Sequence, residues 1–486
     1  RLNHTAAPKL EQFLEVPLSR AGLFGDDLAG QGWIAMKKAL LCCVASCVMW
    51  PAFAQADGHL LFAPGEGAFS WDSYTAFAEI TDLTGQTLTI SGPWTGPEKD
   101  KFEVVLDYFE AATGAEVQYS GSDSFEQDIV ISARSGSAPN LAVFPQPGLA
   151  EDLASQGLLT PLSQDTAEWV AQNFAAGQSW VDLATYPGAD GAEALYGMFY
   201  RVDLKSLVWY SPDAFDEAGY DIPQSMEELE ALTDQIATDG GTPWCIGLGS
   251  GAATGWPATD WVEDMMLRIH TPEDYDAWVR NDIGFDDPKV IEAIEKFGAF
   301  ARNDAFVSGG VSAVANTDFR DSPSGLFAIP PQCYMHRQAS FIPAFFPDGT
   351  TMGQDVDFFY FPAFADRDLG KPVLGAGTLF SVTDPSEAAL AMLEYLKLPL
   401  AHEAWMAQGG FLTAHAGVTP AAYIDDSSRA QGEILRNATT FRFDASDLMP
   451  GEIGAGAFWT GMIDYVTGAD AKIVAEGIQA RWDDLK

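Results

Sequence analysis

The chain has 486 residues, of which 47% are hydrophobic, and its formal net charge is −43 at pH 7. A chain of this length can bury more than one hydrophobic core, so we expect two or three domains. A surface this acidic repels nucleic acids and anionic membranes, which excludes both classes of partner. The acidity by itself indicates a solvated surface and not a cation site.

The N-terminal part carries the three features of a secretory signal. Met36, Lys37 and Lys38 precede an apolar run over 39–50, and Ala-Phe-Ala follows at 52–54. A charged start, an apolar stretch and a small-residue cleavage site predict a signal peptide over 36–54, with residues 1–35 upstream of the true start. A lipoprotein is the alternative, because residues 44–47 loosely fit a lipobox. Either reading predicts export to the periplasm, and no later stretch has the eighteen uninterrupted apolar residues of a membrane span.

The region after a polar lead-in over 55–85 predicts three successive strand–loop–helix units. Short β-prone runs occur at 88–90, 117–119 and 141–144, and each is followed by a loop and an amphipathic segment. Such repeated units predict an α/β fold with a mostly parallel sheet.

Three side chains stand just after these predicted strands. Trp94 follows the first strand, Asp123 the second and Gln146 the third. Ligands of open parallel sheets bind beyond the carboxyl ends of the strands, so these are the first candidates for a binding site.

The stretch from Leu195 to Leu229 has the most specific order of signals. Two apolar, β-prone runs, 196–200 and 207–210, precede Ser211, a good N-cap, and a helix that Gly219 closes. Another helix is expected to start near Ser225. The segment resembles the inter-lobe crossing of extracellular solute-binding proteins of carbohydrate ABC importers. The matching residues are Tyr196-Gly197, Tyr200, Trp209-Tyr210, Phe215, Ala218-Gly219, Pro223 and Glu228-Leu229. Ser211 and Phe199 depart from the usual Asn and Pro of that pattern.

The resemblance extends over roughly residues 86–486 and is strongest to the α-glucoside-binding branch, which includes relatives of maltose-binding protein. It implies a two-lobed periplasmic-binding-protein fold of type II, with a ligand cleft between two α/β lobes. Lobe one is expected over 86–200 and 372–430, and lobe two over 201–371 and 435–486. The chain would cross between the lobes near 200, 372 and 435.

The second half of the chain supplies the remaining elements. We expect strands at 246–248, 325–329, 358–361 and 374–382, a glycine-rich loop over 249–259, and a following helix that contains Trp261. From Met449 the text MPGEIGAGAFWTGMIDYVTG resembles the late helix of maltose-binding protein, and Trp459 stands where that helix carries its sugar-stacking Trp.

A sugar offers hydroxyl groups and one weakly apolar face, so its site needs flat aromatic rings and paired polar groups. Trp94, Trp256 and Trp459 are the predicted platforms. Asp123 and Arg337 are the predicted polar partners, because a carboxylate and a guanidinium can each bond two neighbouring hydroxyls. Gln146 and Asp260 complete the predicted set. The alternative for Trp459 is a place in the core, and for Arg337 a salt bridge.

Cys245 and Cys333 are the two cysteines beyond the predicted signal. In an exported chain this pair indicates a disulfide, and two separate thiols are the alternative.

Catalytic patterns are weak. Asp260, Glu263 and Asp264 could supply the carboxylate pair of a glycoside hydrolase. Such pairs are inevitable in a chain this acidic, and we expect these residues on a solvated surface. No nucleophile, metal cluster or cofactor motif stands out, so no cofactor and no metal is predicted. The sequence therefore predicts a monomeric receptor that binds an oligosaccharide or disaccharide and delivers it to the membrane subunits of an ABC permease. A secreted glycoside hydrolase is the alternative.

Overall fold

The structure is a computed structural model that describes residues 60–437 and 440–486. The predicted signal peptide over 36–54 and the upstream residues 1–35 lie outside the described residues.

The described part of the chain contains eleven strands. They are β1 (Thr87–Gly92), β2 (Glu116–Gly121), β3 (Leu141–Phe144), β4 (Thr185–Pro187), β5 (Glu193–Leu195), β6 (Met198–Leu204), β7 (Leu207–Tyr210), β8 (Met335–Arg337), β9 (Asp357–Tyr360), β10 (Pro372–Val382) and β11 (Thr440–Phe443).

Eighteen α-helices are present in the same residues. They are α1 (Trp71–Ile80), α2 (Pro97–Thr113), α3 (Phe125–Ser135), α4 (Pro147–Ser155), α5 (Gln164–Asn173), α6 (Gly177–Asp182), α7 (Pro212–Ala218), α8 (Met226–Thr238), α9 (Trp256–Ile269), α10 (Pro272–Val279), α11 (Pro288–Ala301), α12 (Val311–Val314), α13 (Glu387–Leu396), α14 (Pro399–Met406), α15 (Asp426–Asn437), α16 (Ala445–Leu448), α17 (Trp459–Val466) and α18 (Ala471–Asp483). Among them none combines the length and the apolar composition that crossing a membrane requires.

The larger sheet is built around β10, which is buried along its whole length. Strands β1, β2 and β3 run parallel to one another, as predicted from the strand–loop–helix units. Strand β10 then lies antiparallel to β3 and to β6, and parallel to β11. Helices α2, α3, α4 and α13 pack against this sheet and enclose a core of their own.

The smaller of the two main sheets has the order β8-β7-β9, with both neighbours antiparallel to β7, and β4 and β5 form a separate antiparallel pair. A second core lies among α8, α9, α11, α17 and α18 beside it. The two sheets with separate cores give two α/β lobes, as predicted. The lobe limits given above stay a prediction; β6 and β11 both belong to the larger sheet.

The crossing segment forms as its sequence indicates. The hydroxyls of Ser211 and Ser225 accept the backbone N–H groups of Ala214 and Glu228, and so cap α7 and α8. Gly219 ends α7 in the left-handed conformation, with φ 73°. The sequence therefore determines this part of the fold locally.

Three local predictions are wrong. Residues 246–248 form no strand, because Trp244 and Gly249 make only isolated bridges to Val307, Met335 and Asp318. The strand predicted over 325–329 is absent, because its first residues belong to a 3₁₀ helix over Ser322–Phe327. The glycine-rich loop ends earlier than expected, at Gly255, and α9 begins at Trp256.

The polar lead-in is also more ordered than predicted. It contains α1, whose Tyr74 and Phe77 pack into the larger core. Ser70 donates from its backbone and hydroxyl to the Glu403 carboxylate, at 2.6 and 2.7 Å. These contacts join residues that are 333 positions apart, which a local pattern could not indicate.

Cys245 and Cys333 form the predicted disulfide, with a Cα–Cα distance of 5.4 Å. Both are buried in a third apolar cluster that also contains Phe319 and Phe341.

Candidate ligand-binding site

A cavity of about 120 Å³ lies where the carboxyl ends of the larger sheet face the segments around the smaller sheet. Six of the seven predicted site residues line it: Trp94, Asp123, Gln146, Trp256, Asp260 and Trp459. Arg337 is the exception. The cavity thus brings together residues that are separated by as many as 365 positions in the sequence.

The larger sheet positions three of these side chains. Trp94 follows β1, Asp123 follows β2 and Gln146 follows β3. Because β1, β2 and β3 are parallel, their carboxyl ends meet at one edge and hold the three side chains together. Gln146 also donates an amide N–H to Glu126, at 3.2 Å.

Trp94 serves the core as well as the cavity. Its ring is 1% exposed and lies 4.8 Å from the rings of both Phe102 and Trp405, measured between centroids. The indole Nε1 has no hydrogen-bond partner among the described residues. Trp94 therefore offers the cavity one donor from an otherwise packed ring.

A glycine brings the other two Trp residues to the cavity. Gly255 precedes α9 with φ 118°, and a Cβ there would lie 2.3 Å from the carbonyl oxygen of Trp459. Only glycine allows this approach of the two backbones. Trp256 then begins α9 and packs against Phe319, with ring centroids 4.9 Å apart.

Trp459 begins α17, directly after a π-helical turn over Ile453–Phe458. Its side chain is 2% exposed, and Nε1 has no partner in the described chain. Trp459 lines the cavity directly after this π turn, and such turns are frequent at functional sites.

The sequence reasoning missed three charged residues of the crossing segment. Arg201, Asp203 and Lys205 alternate with apolar residues from β6 onward, and all three are buried and line the cavity. Alternate residues of a strand point to one face, so this spacing was the available signal.

Arg201 is held by two carboxylates and three rings. Its guanidinium donates to Glu98 at 2.6 Å and to Asp203 at 3.2 Å. The same group lies 5.3 to 5.5 Å from the ring centroids of Trp94, Phe341 and Trp405. Planar stacking and two hydrogen bonds fix its position, as suits Arg.

Lys205 has a different environment. Its ammonium donates to Asp260 at 2.7 Å and to Asp444. Glu263 lies close enough that one oxygen each of Asp260, Glu263 and Asp444 fall within 4.8 Å of one another. Asp447 also lines the cavity nearby. One ammonium therefore faces four buried carboxyl groups, and we call these five residues the Lys205 cluster.

Burial and mutual repulsion shift the pKa values of this cluster. Burial, together with the charge of Asp444, raises the pKa of Glu263 and of Asp447 well above the usual range. Burial alone would lower the pKa of Lys205, but Asp260 and Asp444 raise it well above its usual value. These shifts favour a charged lysine and a protonated form of Glu263 and Asp447.

The pKa of Glu126, which lines the cavity beside Gln146, is also shifted. Burial raises its pKa to about 7, even though Gln146 donates to it. The cavity therefore presents neutral carboxyl groups as well as carboxylates near pH 7, which gives it hydrogen-bond donors and acceptors together.

The expectation of a solvated surface for Asp260, Glu263 and Asp264 is wrong. All three are buried, because every residue of α9 after Trp256 is buried. Asp264 is held by Arg268 and by Arg337, whose Nη2 donates to it at 2.8 Å. Charges on a buried helix need partners within the protein. Asp260 pairs with Lys205 and Asp264 with two Arg residues, whereas Glu263 forms no ion pair within the described ranges and accepts the backbone N–H of Ser446.

The same pairing removes Arg337 from the predicted site. Its Nη2 also donates to the backbone carbonyl of Asp260 at 2.9 Å, and the residue is buried behind the cavity wall. Its guanidinium is bonded to residues of α9, so Arg337 has the alternative role, a salt bridge.

Several buried polar atoms of the cavity have no hydrogen-bond partner within the described ranges. They are Nε1 of Trp94 and of Trp459, Oε1 of Gln146, Oδ1 of Asp203, Oδ2 of Asp260, Nε of Arg320 and Oγ1 of Thr378. Buried polar atoms are normally bonded, and leaving one unpaired costs roughly 1–3 kcal/mol. Donors and acceptors interleaved with aromatic rings are the complement of a polyhydroxyl ligand.

Comparison with known proteins agrees with this arrangement. The model of one family, the bacterial extracellular solute-binding proteins, matches residues 95–399. The chain belongs to this family.

Two relatives are similar over most of their length. The chain is 57% identical over 458 residues to the alpha-glucosides-binding periplasmic protein AglE of Rhizobium meliloti, covering 93% of this chain and all of the relative. It is 42% identical over 402 residues to the osmoprotective compounds-binding protein GgtB of Synechocystis sp., covering 82% of this chain and 93% of the relative.

A solved structure shares the fold. The bacterial solute receptor AcbH superposes with a TM-score of 0.70 at 20% identity, over 82% of this chain and 99% of that receptor. The type II periplasmic-binding-protein fold predicted from the sequence is thereby confirmed.

Proposed function

We propose that this chain is the periplasmic substrate-binding protein of an ABC transporter, and that it captures an α-glucoside of the maltose, sucrose or trehalose type and delivers it to the membrane permease. The observation that carries the proposal is the cavity with three Trp residues and unpaired buried donors and acceptors between them. The 57% identity to an alpha-glucosides-binding protein supports the choice of ligand class.

The ligand-binding residues of this proposal are Trp94, Asp123, Gln146, Trp256, Asp260 and Trp459, with Arg201, Asp203 and Lys205 added from the structure. The three Trp residues provide apolar surface and N–H donors, and the polar residues bond the hydroxyls.

The protein acts without turnover in this proposal. Two of the three carboxylates that the sequence offered for glycoside hydrolysis are tied to cations: Asp260 to Lys205, and Asp264 to Arg268 and Arg337. The third, Glu263, accepts the backbone N–H of Ser446 at 3.0 Å. A carboxylate tied to a cation is a poor nucleophile or base.

A thermal-shift and calorimetry panel with maltose, sucrose and trehalose tests the proposal. A ligand at 100 times its Kd should stabilise the folded state by about 2.7 kcal/mol, which raises Tm measurably. We expect binding with the sugar recovered unchanged by chromatography. Absence of binding to all three sugars, or release of glucose, would refute it.

The predicted lobe limits imply a hinge. A sugar that contacts both lobes stabilises only their closed arrangement, so ligand should draw lobe one and lobe two together. Small-angle scattering should show a smaller radius of gyration with saturating sugar, and an unchanged radius would contradict the hinge.

Export completes the proposal. Cleavage after Ala54 would give a mature chain that starts at Gln55. N-terminal sequencing of the periplasmic protein should read Gln-Ala-Asp-Gly. A start at Cys47 would indicate the lipoprotein alternative, and a start upstream of Met36 would contradict both.

A further inference from the structure

Arg320 lies at the boundary between the ligand cavity and a second, larger depression. This depression, which we call the outer groove, has a volume of about 770 Å³, against about 120 Å³ for the cavity. Arg320 lines both. Phe319 lines the cavity, and Phe345 lines the outer groove.

The guanidinium of Arg320 lies beside both of these rings, whose centroids are 5.7 Å apart. Its Cζ lies 4.4 Å from the centroid of Phe319 and 5.6 Å from that of Phe345. The Arg320 side chain is 19% exposed, and Nε has no hydrogen-bond partner among the described residues. The side chain therefore forms a wall whose inner face belongs to the ligand cavity.

The guanidinium end of Arg320 is hydrogen-bonded to the lobe that contains the larger sheet. Nη2 of Arg320 donates to Asp123 at 2.6 Å and to the Thr95 hydroxyl at 3.1 Å. Thr95 in turn donates to the same oxygen of Asp123, at 3.1 Å. Thr95 follows β1 and Asp123 follows β2 of the larger sheet, whereas Arg320 lies in the segment between α12 and β8.

A second contact at the same place shows that the two sides meet closely. A Cβ built on Gly251 would lie 2.9 Å from the Cβ of Asp123. The backbone of Gly249 forms an isolated bridge to Asp318, which joins the segments that carry Gly251 and Arg320. Separating the two sides must break the Arg320–Asp123 ion pair.

We propose that Arg320 is the specificity-determining residue that closes the cavity over a bound glycoside by pairing with Asp123, and that it limits the length of the glycoside by separating the cavity from the outer groove. The length limit rests on the proposed function, whereas the closure does not. A disaccharide lies behind the wall. A longer glycoside has to displace Arg320 in order to reach the outer groove.

A cysteine reporter measures closure without any ligand. Thr378 lines the cavity, is 2% exposed, and its hydroxyl makes no hydrogen bond within the described chain. We expect T378C to react with a maleimide at least 10-fold faster when R320A is added. D123N should act in the same direction with a smaller increase.

R280A is the matched control. Arg280 pairs with Asp282 on the surface, at 3.0 Å, with side chains 62% and 63% exposed. T378C/R280A should label at the rate of T378C alone. Equal labelling rates for the R320A and R280A backgrounds would overturn the closure.

Calorimetry with maltose and maltotriose tests the length limit. The unsubstituted protein should bind maltose more tightly, and R320A should reduce that preference at least 10-fold, while R280A leaves it unchanged. An unchanged preference in R320A overturns the length limit. If the unsubstituted protein binds neither sugar, the proposed function and the length limit fail together, and the labelling rates still decide the closure.

Discussion

Arg201 and Lys205 lie four residues apart on one segment, and both line the ligand cavity, yet the protein neutralises them differently. Arg201 faces two carboxylates and stacks on three rings. Lys205 faces four carboxyl groups and has one ring, Trp256, at 5.6 Å. A planar guanidinium is fixed by geometry, whereas a compact ammonium is fixed by surrounding charge.

The two cations contribute differently to the cavity wall. Arg201 is held in the cavity wall by three aromatic rings and two carboxylates. The Lys205 cluster contains more acid than one cation can neutralise, so protons must balance the remainder. The two cations should therefore respond differently to substitution and to pH.

The largest effect is expected for Lys205→Met. It leaves Asp260 and Asp444 buried without their cation, which should lower the free energy of unfolding by about 3–5 kcal/mol. Urea denaturation measures it. Lys296→Met is the matched control, because Lys296 pairs with Glu230 at a partly exposed site and should cost about 1 kcal/mol or less. Equal losses would mean that the buried carboxyl groups do not depend on Lys205.

Arg201→Lys keeps the charge and removes the planar fork. Loss of one charge-assisted hydrogen bond and of the ring stacking should cost about 2 kcal/mol of stability. The same denaturation experiment applies. Arg481→Lys, at the exposed pair with Glu452, serves as control and should change the stability by less than about 1 kcal/mol. A cost as small as that of the control would show that charge alone holds Arg201.

Asp447→Asn tests the protonation of the Lys205 cluster. The pKa of Asp447 is raised in the folded state, so the folded chain binds a proton that the unfolded chain releases. Its contribution to stability is complete below the usual Asp pKa and is lost as the pH rises through the raised value. The unfolding free energy of the variant relative to the parent should therefore increase from pH 5 to pH 8, with a slope of at most about 1.4 kcal/mol per pH unit.

Urea denaturation at constant ionic strength, at several pH values in that range, gives the two curves. Parallel curves for parent and variant would contradict the protonated state of Asp447. The histidines His336 and His402 act in the opposite sense, since burial lowers their pKa values, and comparison with the variant cancels their contribution.

The smallest effect is expected for Trp459→Phe, which tests whether the Trp459 N–H bonds the ligand. Trp459→Phe keeps most of the buried ring and removes an Nε1 that has no partner in the described chain. We expect about 1 kcal/mol weaker binding of the α-glucoside by calorimetry, with a change in stability below about 1.5 kcal/mol. Trp278→Phe is the control, because its Nε1 is also unpartnered and it packs on Phe285 and Phe458 away from the cavity. Equal effects on affinity would remove Trp459 from the site.

Local signals were sufficient for the side of the cavity that the larger sheet provides. Trp94, Asp123 and Gln146 each follow a strand of a parallel sheet, and the pattern of strands and helices places such residues at one edge. The caps at Ser211 and Ser225 and the end of α7 at Gly219 are likewise decided within a few residues. Trp459 was found from a resemblance and not from a pattern, because a Trp in a helix is equally suited to a core.

The short elements of the other side were not predictable in this way. Residues 246–248 have the composition of a strand. The residues that flank them, Trp244 and Gly249, make only isolated bridges, to Val307, Met335 and Asp318. The burial of α9 was hidden too, since its acidic residues resemble those of a solvated helix until Lys205, Arg268 and Arg337 are placed beside them.

The sequence by itself thus determined the family, the two α/β lobes, the disulfide partners and the strand-end residues, because each depends on short-range order or on a motif that survives in the chain. Only the tertiary structure decided which charges are buried and with whom they pair. Arg337 shows the physical reason: an Arg is chemically suited to a sugar or to a salt bridge, and the choice depends on which opposite charge the fold brings within hydrogen-bonding distance. Asp264 accepts a hydrogen bond from Arg337 at 2.8 Å, and Arg337 does not line the cavity.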